Sequence, residues 1–69
     1  MISYRKLWHL LDRRGLEPKD LIPLAHISPS TLRALKKCDM VRLDILVRIC
    51  ISLGVDIGDV CGVVRDYGR

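Results

Sequence analysis

Apolar residues recur at intervals of three and four along almost the whole chain, and this periodicity limits what the chain can form. Such spacing places side chains on one face of an α-helix, whereas a half-buried strand requires strict alternation. No stretch alternates over a sustained length, and no Asn-Gly or similar dipeptide indicates a hairpin. The sequence therefore predicts helices and no strands.

Capping residues and glycines divide the pattern into short segments. The first helix is expected to use Ser3 as its cap and to end at Arg13 and Arg14. Gly15 follows, and glycine adopts the left-handed conformation that closes a helix at the least cost. The inward face of this helix is predicted to carry Leu7, Trp8, Leu10 and Leu11.

Two prolines shape the second predicted helix. Glu17 can cap it and Pro18 fits its first position, where no backbone N–H is needed. Pro23 removes a further donor, so this helix is expected to be short or kinked and to end near His26. Its predicted inward residues are Leu21, Leu24 and Ala25.

Three further helices are expected. The third covers about 29–37, because Ser28-Pro29-Ser30-Thr31 supplies a capping hydroxyl and a first-turn proline directly before the next leucine. A loop at 38–42 leads to a fourth helix over about 43–53, which Gly54 ends. A short fifth helix, about 59–64 and begun by Asp56 or Gly58, is expected to trail into a fraying tail at 67–69.

Length and side-chain chemistry argue against an enzyme. A chain of 69 residues forms one small domain, 1–69, with a thin core. His9 and His26 are isolated from any catalytic grouping, and Cys38, Cys50 and Cys61 lack the spacing of a metal or disulfide framework. Cys50 and Cys61 are interpreted as small core residues. We expect no catalytic residue, metal, cofactor or small-molecule ligand.

The distribution of apolar residues also bears on location. The longest stretches without a charge are too short for a membrane span or contain Pro and Ser. The basic N-terminus has no apolar run of signal-peptide length behind it. The sequence predicts a cytoplasmic protein without a membrane partner.

Basic residues are concentrated in one part of the chain. Twelve Lys and Arg against eight Asp and Glu give a formal charge of +4. Four of the cations lie within ten residues that contain one acid, Asp39, and they are Arg33, Lys36, Lys37 and Arg42. Three aromatic residues are too few for a surface that stacks single-stranded bases. Of the nucleic acids, duplex DNA is the expected partner.

The second and third helices are joined by a turn of about three residues, His26-Ile27-Ser28, as in a helix-turn-helix. Here the sequence resembles the Cro/C1-type, or Xre-type, helix-turn-helix family of phage and bacterial regulators, and in particular its short single-domain members. The resemblance spans about 4–64. It rests on Leu21 followed by Ala25-His26-Ile27-Ser28, on Thr31-Leu32 and Leu35, and on Ile49-Cys50, Leu53-Gly54-Val55-Asp56-Ile57 and Asp59.

This resemblance implies an all-α fold, a compact five-helix lambda-repressor-like domain with its helix-turn-helix at about 18–37. It also implies binding of duplex DNA as a homodimer. With Leu32 and Leu35 turned inward, Ser30, Arg33, Ala34 and Lys37 are predicted to lie on the opposite side of the third helix and to enter the major groove. The predicted DNA-contact residues are Ser28, Ser30, Thr31, Arg33, Lys36, Lys37 and Arg42.

These residues are expected to divide into two roles. The planar guanidinium of Arg33 matches guanine O6 and N7 and is expected to read a base, while Ser30 discriminates weakly. Lys36, Lys37 and Arg42 are expected to contact phosphates, which supply affinity without sequence information.

Three positions depart from the family pattern. Pro18 stands where a phosphate-binding amide is usual and Pro29 where a base-reading polar residue is usual, and neither has a donor. His26 replaces the usual glycine of the turn, where a positive φ is often needed. These departures predict limited specificity or dependence on a partner.

The fourth helix is apolar over most of its surface. One intramolecular contact cannot cover so wide an apolar face, and the excess predicts an interface within 43–64. The predicted dimer residues are Ile45, Val47, Ile51, Val63 and Val64. An alternative is that the last helix and the tail cover them.

Two functions remain open at this point. The first is a non-enzymatic transcriptional regulator that binds operator DNA as a homodimer. The second is a protein-interaction module on the same scaffold, an antitoxin-like or anti-repressor partner that binds through its last two helices. Salt-sensitive retention on specific DNA favours the first, and a stoichiometric heterocomplex without DNA affinity favours the second.

Overall fold

Helices dominate the chain, as their periodicity predicts. A computed structural model describes residues 1–65. Its α-helices are α1 (Arg5–Arg13), α2 (Leu21–Ala25), α3 (Pro29–Lys36) and α4 (Leu43–Leu53). Single 3-10 turns at Pro18–Asp20 and Ile57–Asp59 precede α2 and follow α4. The ends of the described region form a two-stranded antiparallel sheet of β1 (Ile2–Ser3) and β2 (Gly62–Val63).

The predictions of a fifth helix and of no strands are wrong. After α4 the chain makes only the Ile57–Asp59 turn, in which the Asp59 carboxylate accepts the backbone N–H of Asp56 at 3.0 Å. In the segment that follows, Gly62 disfavours helix and Val63 and Val64 favour extended backbone, and the segment pairs with the start of the chain. Ile2 faces Val63 and Ser3 faces Gly62. The predicted tail at 67–69 lies outside the described residues.

The first helix begins one residue later than a Ser3 cap requires. Tyr4 is the N-cap of α1, because Ser3 is held in the sheet, and the Ser3 hydroxyl accepts the N–H of Arg5 at 3.3 Å. The predicted end is confirmed. Gly15 has φ +71°, and the N–H of the next residue, Leu16, bonds back to the oxygen of Leu11 at 2.8 Å.

The second helix is short, as its prolines predict. Pro18 begins the 3-10 turn, and the Asp20 carboxylate accepts the N–H of Glu17 at 2.7 Å. Pro23 is the third residue of α2, where a backbone N–H needs no helical partner, so the helix accommodates it. The helix ends at Ala25, and its C-cap residue His26 is left-handed with φ 55°. Leu24, predicted to face inward, is exposed.

One core joins all four helices and Val60, the residue that follows the second 3-10 turn. Its largest fully buried side chains are Tyr4, Leu7, Leu11, Leu21, Leu35, Ile49 and Val60. The Tyr4 hydroxyl donates to the backbone oxygen of Asp39 at 2.8 Å, which ties the start of α1 to the loop after α3. Burial raises the pKa of the Tyr4 phenol above its ordinary value. Cys50 is buried and Cys61 half-buried, consistent with their interpretation as core residues.

Candidate nucleic-acid interface

The turn between α2 and α3 is held from beneath by small and branched apolar side chains. Ala25 and Ile27 are buried, as are Leu32 and Leu35 on the inner face of α3. Because Ala25 is small, the two helices can approach closely, and α3 packs on α2 and on the first 3-10 turn. The outer face of α3 is left open to a ligand.

Ser28 caps α3, as its sequence position predicts. Its hydroxyl accepts the N–H of Thr31 at 3.1 Å and lies 3.0 Å from the Thr31 hydroxyl. Ser28 is exposed and Thr31 half-buried. In the free protein these two side chains therefore stabilise the N-terminus of α3.

The exposed side of α3 consists of Pro29, Ser30, Arg33 and Lys36, continued by its C-cap residue Lys37. Arg33 and Lys36 lie one turn apart and line a shallow groove together with Pro29 and Leu32. Ala34, predicted for this side, is half-buried and belongs to its margin. The structure thus brings three cations together on one exposed surface.

The cations of this surface and Arg42, the N-cap residue of α4, differ in their ionic contacts. Lys37 Nζ lies 3.6 Å from an Asp39 oxygen, and Arg42 holds Asp44 through Nε at 3.0 Å and Nη2 at 3.3 Å. Both pairs are exposed, and such pairs contribute about 0–1 kcal/mol, so a phosphate can replace the carboxylate. Within residues 1–65, Arg33 and Lys36 form no ion pair.

Left-handed residues stand at both ends of α3. His26, in the turn before α3, has φ 55°, as expected of a residue that replaces the usual turn glycine. Cys38, after α3, has φ 61°. The N–H groups of Cys38 and Asp39 bond to the oxygens of Leu35 and Ala34, at 3.1 and 2.9 Å. Sequence reasoning missed this cap because it expected glycine at such a position.

Two polar side chains of α4 hold the turn from the other side. Arg48 Nη1 donates to the oxygen of His26 at 3.2 Å, and the Ser52 hydroxyl donates to the oxygen of Leu24 at 3.0 Å. They occupy the carbonyls that the last turn of α2 leaves without helical partners. Sequence reasoning missed both roles. The available signal was that Asp44, Arg48 and Ser52 recur every four residues and therefore share one face of α4.

An apolar stripe lies along the exposed side of α4. It consists of Leu43, Val47 and Ile51, which are 66%, 42% and 74% exposed and recur every four residues. Ile45, predicted for the interface, is half-buried against the core on the other side of the helix, and Leu43 was missed.

Val63 and Val64, predicted on a fifth helix, are exposed at and just beyond β2. They therefore do not continue a helical surface. In the described part of the chain, no helix is long and apolar enough to cross a membrane.

Comparison with known proteins agrees with this geometry. The family model of the Cro/C1-type helix-turn-helix DNA-binding domain matches residues 6–66. A crystal structure of the transcriptional regulator VanUg (form II) is similar to this chain with a TM-score of 0.89 and 35% sequence identity, over 94% of this chain and 87% of that one. No curated protein matches in sequence. The chain belongs to the Cro/C1-type helix-turn-helix DNA-binding domain family.

Proposed function

We propose that this protein is a transcriptional regulator that recognises a specific duplex DNA site as a homodimer, without enzymatic activity of its own. The observation that carries the proposal is the exposed cationic face of α3, formed by Arg33, Lys36 and Lys37 on the second helix of a helix-turn-helix. A helix of this kind fits the major groove of B-DNA.

Arg33 is the base-reading residue of this proposal. It lies near the middle of the exposed face, and its guanidinium has no ion-pair partner within residues 1–65. A bidentate contact from such a group to guanine O6 and N7 discriminates against other bases by about 1–3 kcal/mol. Ser30, exposed on the same face, adds a weaker base-edge contact.

The remaining contacts are assigned to the phosphates. Lys36 and Lys37 lie at the end of α3, and Arg42 is the N-cap residue of α4 after the connecting loop. Ser28 and Thr31 lie at the start of α3, where their hydroxyls retain hydrogen-bonding capacity beyond the cap. These groups position the helix and make binding salt-dependent.

The prolines set a limit on specificity. Pro18 and Pro29 stand at the starts of the first 3-10 turn and of α3, where they have no backbone donor and no polar side chain. Discrimination then depends on Arg33 and on the geometry of the dimer. We expect a short preferred half-site with one guanine that dominates recognition.

The homodimer is proposed to form through the apolar stripe Leu43, Val47 and Ile51. Exposed apolar side chains at helical spacing pair well across a two-fold axis, because the same surface then covers both copies. Such a dimer presents two α3 helices to half-sites about one DNA turn apart. Val63 and Val64 form a separate exposed apolar surface.

The experiment is a selection of preferred sites from randomised duplexes, followed by binding measurements on the selected and a shuffled duplex at several salt concentrations. The proposal expects a two-fold symmetric site, tighter binding to it than to the shuffled duplex, and affinity that falls steeply with salt. Equal binding to both duplexes contradicts sequence specificity. No duplex binding, together with a stoichiometric complex with another protein, favours the protein-interaction module.

A further inference from the structure

A groove of about 600 Å³ lies between α1 and the sheet. Arg5, Lys6, His9 and Arg13 of α1 line one side, and Val63 and Val64 lie on the β2 side. The groove is built from α1, the second 3-10 turn and the sheet, whereas α3 packs on α2 and the first 3-10 turn. It therefore uses none of the residues assigned to DNA.

The described lining of this groove carries more positive than negative side chains. Within residues 1–65, Arg5, Lys6 and Arg13 form no ion pair. Lys6 Nζ donates to the backbone oxygen of Gly58 at 3.0 Å and keeps its charge at the groove. Asp59 is the acid of the lining, and its carboxylate accepts the N–H of Asp56. The groove thus favours an anionic occupant.

Three side chains along α1 are separated by nearly the same distance as alternate side chains of an extended strand. Arg5, His9 and Arg13 recur every four residues, which separates them by about 6 Å along the helix axis. In an extended strand the side chains on one face recur every second residue, about 6.7 Å apart. Acidic residues at alternate positions of an extended segment therefore match this row.

The edge of β2 supplies the other half of a polypeptide site. Met1 and Val64 exchange both backbone hydrogen bonds, at 2.8 and 3.2 Å, so the next pair, Ile2 and Val63, is of the non-hydrogen-bonded kind. The N–H and C=O of Val63 point away from β1, and its side chain is 76% exposed. A peptide backbone satisfies both groups, whereas a phosphate only accepts.

We propose that this groove binds an extended acidic segment of a partner protein, with alternate Asp or Glu side chains against α1 and its backbone against β2. The exposed Val63 side chain contacts the apolar residues between the acids. Through this site a second protein joins the regulator without occupying α3. The inference does not depend on DNA binding.

The test uses a fluorescein-labelled peptide of about eight residues that alternates Glu and Val, with fluorescence anisotropy as the readout. Its control peptide carries Lys in place of Glu. We expect the acidic peptide to bind and to weaken as salt is raised, and the basic peptide not to bind. In amide NMR spectra the acidic peptide should shift the signals of Val63 and Val64.

Two double variants with the same charge change separate this groove from the DNA surface. Arg5→Gln with Arg13→Gln should weaken peptide binding on the order of tenfold, because both rim charges are lost. Arg33→Gln with Lys36→Gln should leave peptide binding within about twofold. Because all four side chains are exposed, both variants should fold, and circular dichroism melts check this.

The outcomes distinguish the two proposals. Equal loss of peptide affinity in both double variants overturns the groove, because attraction is then to net charge alone. Loss of duplex binding in the α1 variant as large as in the α3 variant also overturns it, because the groove is then part of the DNA surface. A parent protein that binds the acidic peptide but no duplex supports the groove and overturns the proposed regulator.

Discussion

Arg48 reaches from α4 to the backbone oxygen of His26, with Nη1 and the oxygen 3.2 Å apart. The contact joins the helix that carries the apolar stripe to the turn that presents α3. A residue outside the proposed DNA surface therefore helps to position the turn that precedes α3.

Removal of this contact is expected to lower stability. Arg48→Ala should reduce the free energy of unfolding by about 1 kcal/mol, the usual contribution of an intramolecular hydrogen bond. Urea unfolding followed by the fluorescence of Trp8, the one tryptophan of the chain, measures this change. Arg5→Ala, at an exposed arginine of α1, is the control and should stay within about 0.5 kcal/mol. Equal effects of the two variants would show that the His26 contact contributes nothing.

Replacement of Cys38 by glycine should stabilise the folded protein. Its φ of 61° is strained for a residue with a Cβ, and Gly15 and Gly54 occupy the equivalent positions after α1 and α4. Cys38→Gly should raise the free energy of unfolding by about 1 kcal/mol, partly offset by the greater freedom of glycine in the unfolded chain. Cys38→Ala retains the strain and should show no gain. Thermal melts compare the variants under reducing conditions, and a gain in the alanine variant contradicts the explanation.

Arg33 and Lys37 should differ when each is replaced by alanine. Arg33→Ala should lose about 1–3 kcal/mol on the preferred site and relax the preference at one base pair. Lys37→Ala should weaken all duplexes about equally and reduce the salt slope by about one. Titrations of preferred and shuffled duplexes at several salt concentrations measure both effects. If Arg33→Ala loses the same affinity on both duplexes, Arg33 contacts a phosphate.

The homodimer predicts an effect of a charge on the apolar stripe. Ile51→Glu places two like charges close to the proposed two-fold axis and should shift the protein to monomer with its helicity retained. DNA affinity should fall although the DNA face is unchanged. Analytical ultracentrifugation measures the shift, and Met40→Glu, at a similarly exposed residue outside the stripe, is the control. A parent that is monomeric at high micromolar concentration contradicts the dimer.

Tyr4 links stability to alkaline pH. Because its pKa is raised in the folded state, the unfolded chain loses the phenolic proton first as pH rises above about 10. The stability that the protonated Tyr4 phenol contributes is fully present below that pH and is lost as pH rises through the folded-state pKa. Tyr4→Phe should cost about 1 kcal/mol at pH 7 through the lost bond to Asp39, and less at higher pH. Urea unfolding of both proteins at pH 7 and at a pH above about 10 measures the difference in their free energies of unfolding. A difference that does not change with pH contradicts the role given to the Tyr4 phenol.

Local chemistry made much of the helical architecture predictable. The Ser28 hydroxyl, Gly15 and Gly54 mark helix ends through bonds that each segment makes within itself, and the structure has these ends. The positive φ of His26 was expected instead from the family resemblance, because glycine is usual at that position of the turn. The DNA contacts at Ser28, Ser30, Thr31, Arg33, Lys36, Lys37 and Arg42 remain predictions.

What the sequence did not indicate depends on contacts between distant segments. Each strand has two residues, too few to show alternation, and each forms only because the other lies beside it. The roles of Arg48 and Ser52 likewise depend on where α2 ends in space. Ile45 was assigned to the wrong side and Leu43 was missed, because helical period alone does not place the centre of the buried face.

The sheet between the first and last described segments also has a consequence for synthesis on the ribosome. Ile2 and Ser3 are made before their partners Val63 and Gly62, which follow only after all four helices. At about 5–20 residues per second, the nascent chain carries α3 for a few seconds before β2 exists. During that interval the start of α1 has no strand to pair with. The sheet therefore forms only after all four helices of the domain have been made.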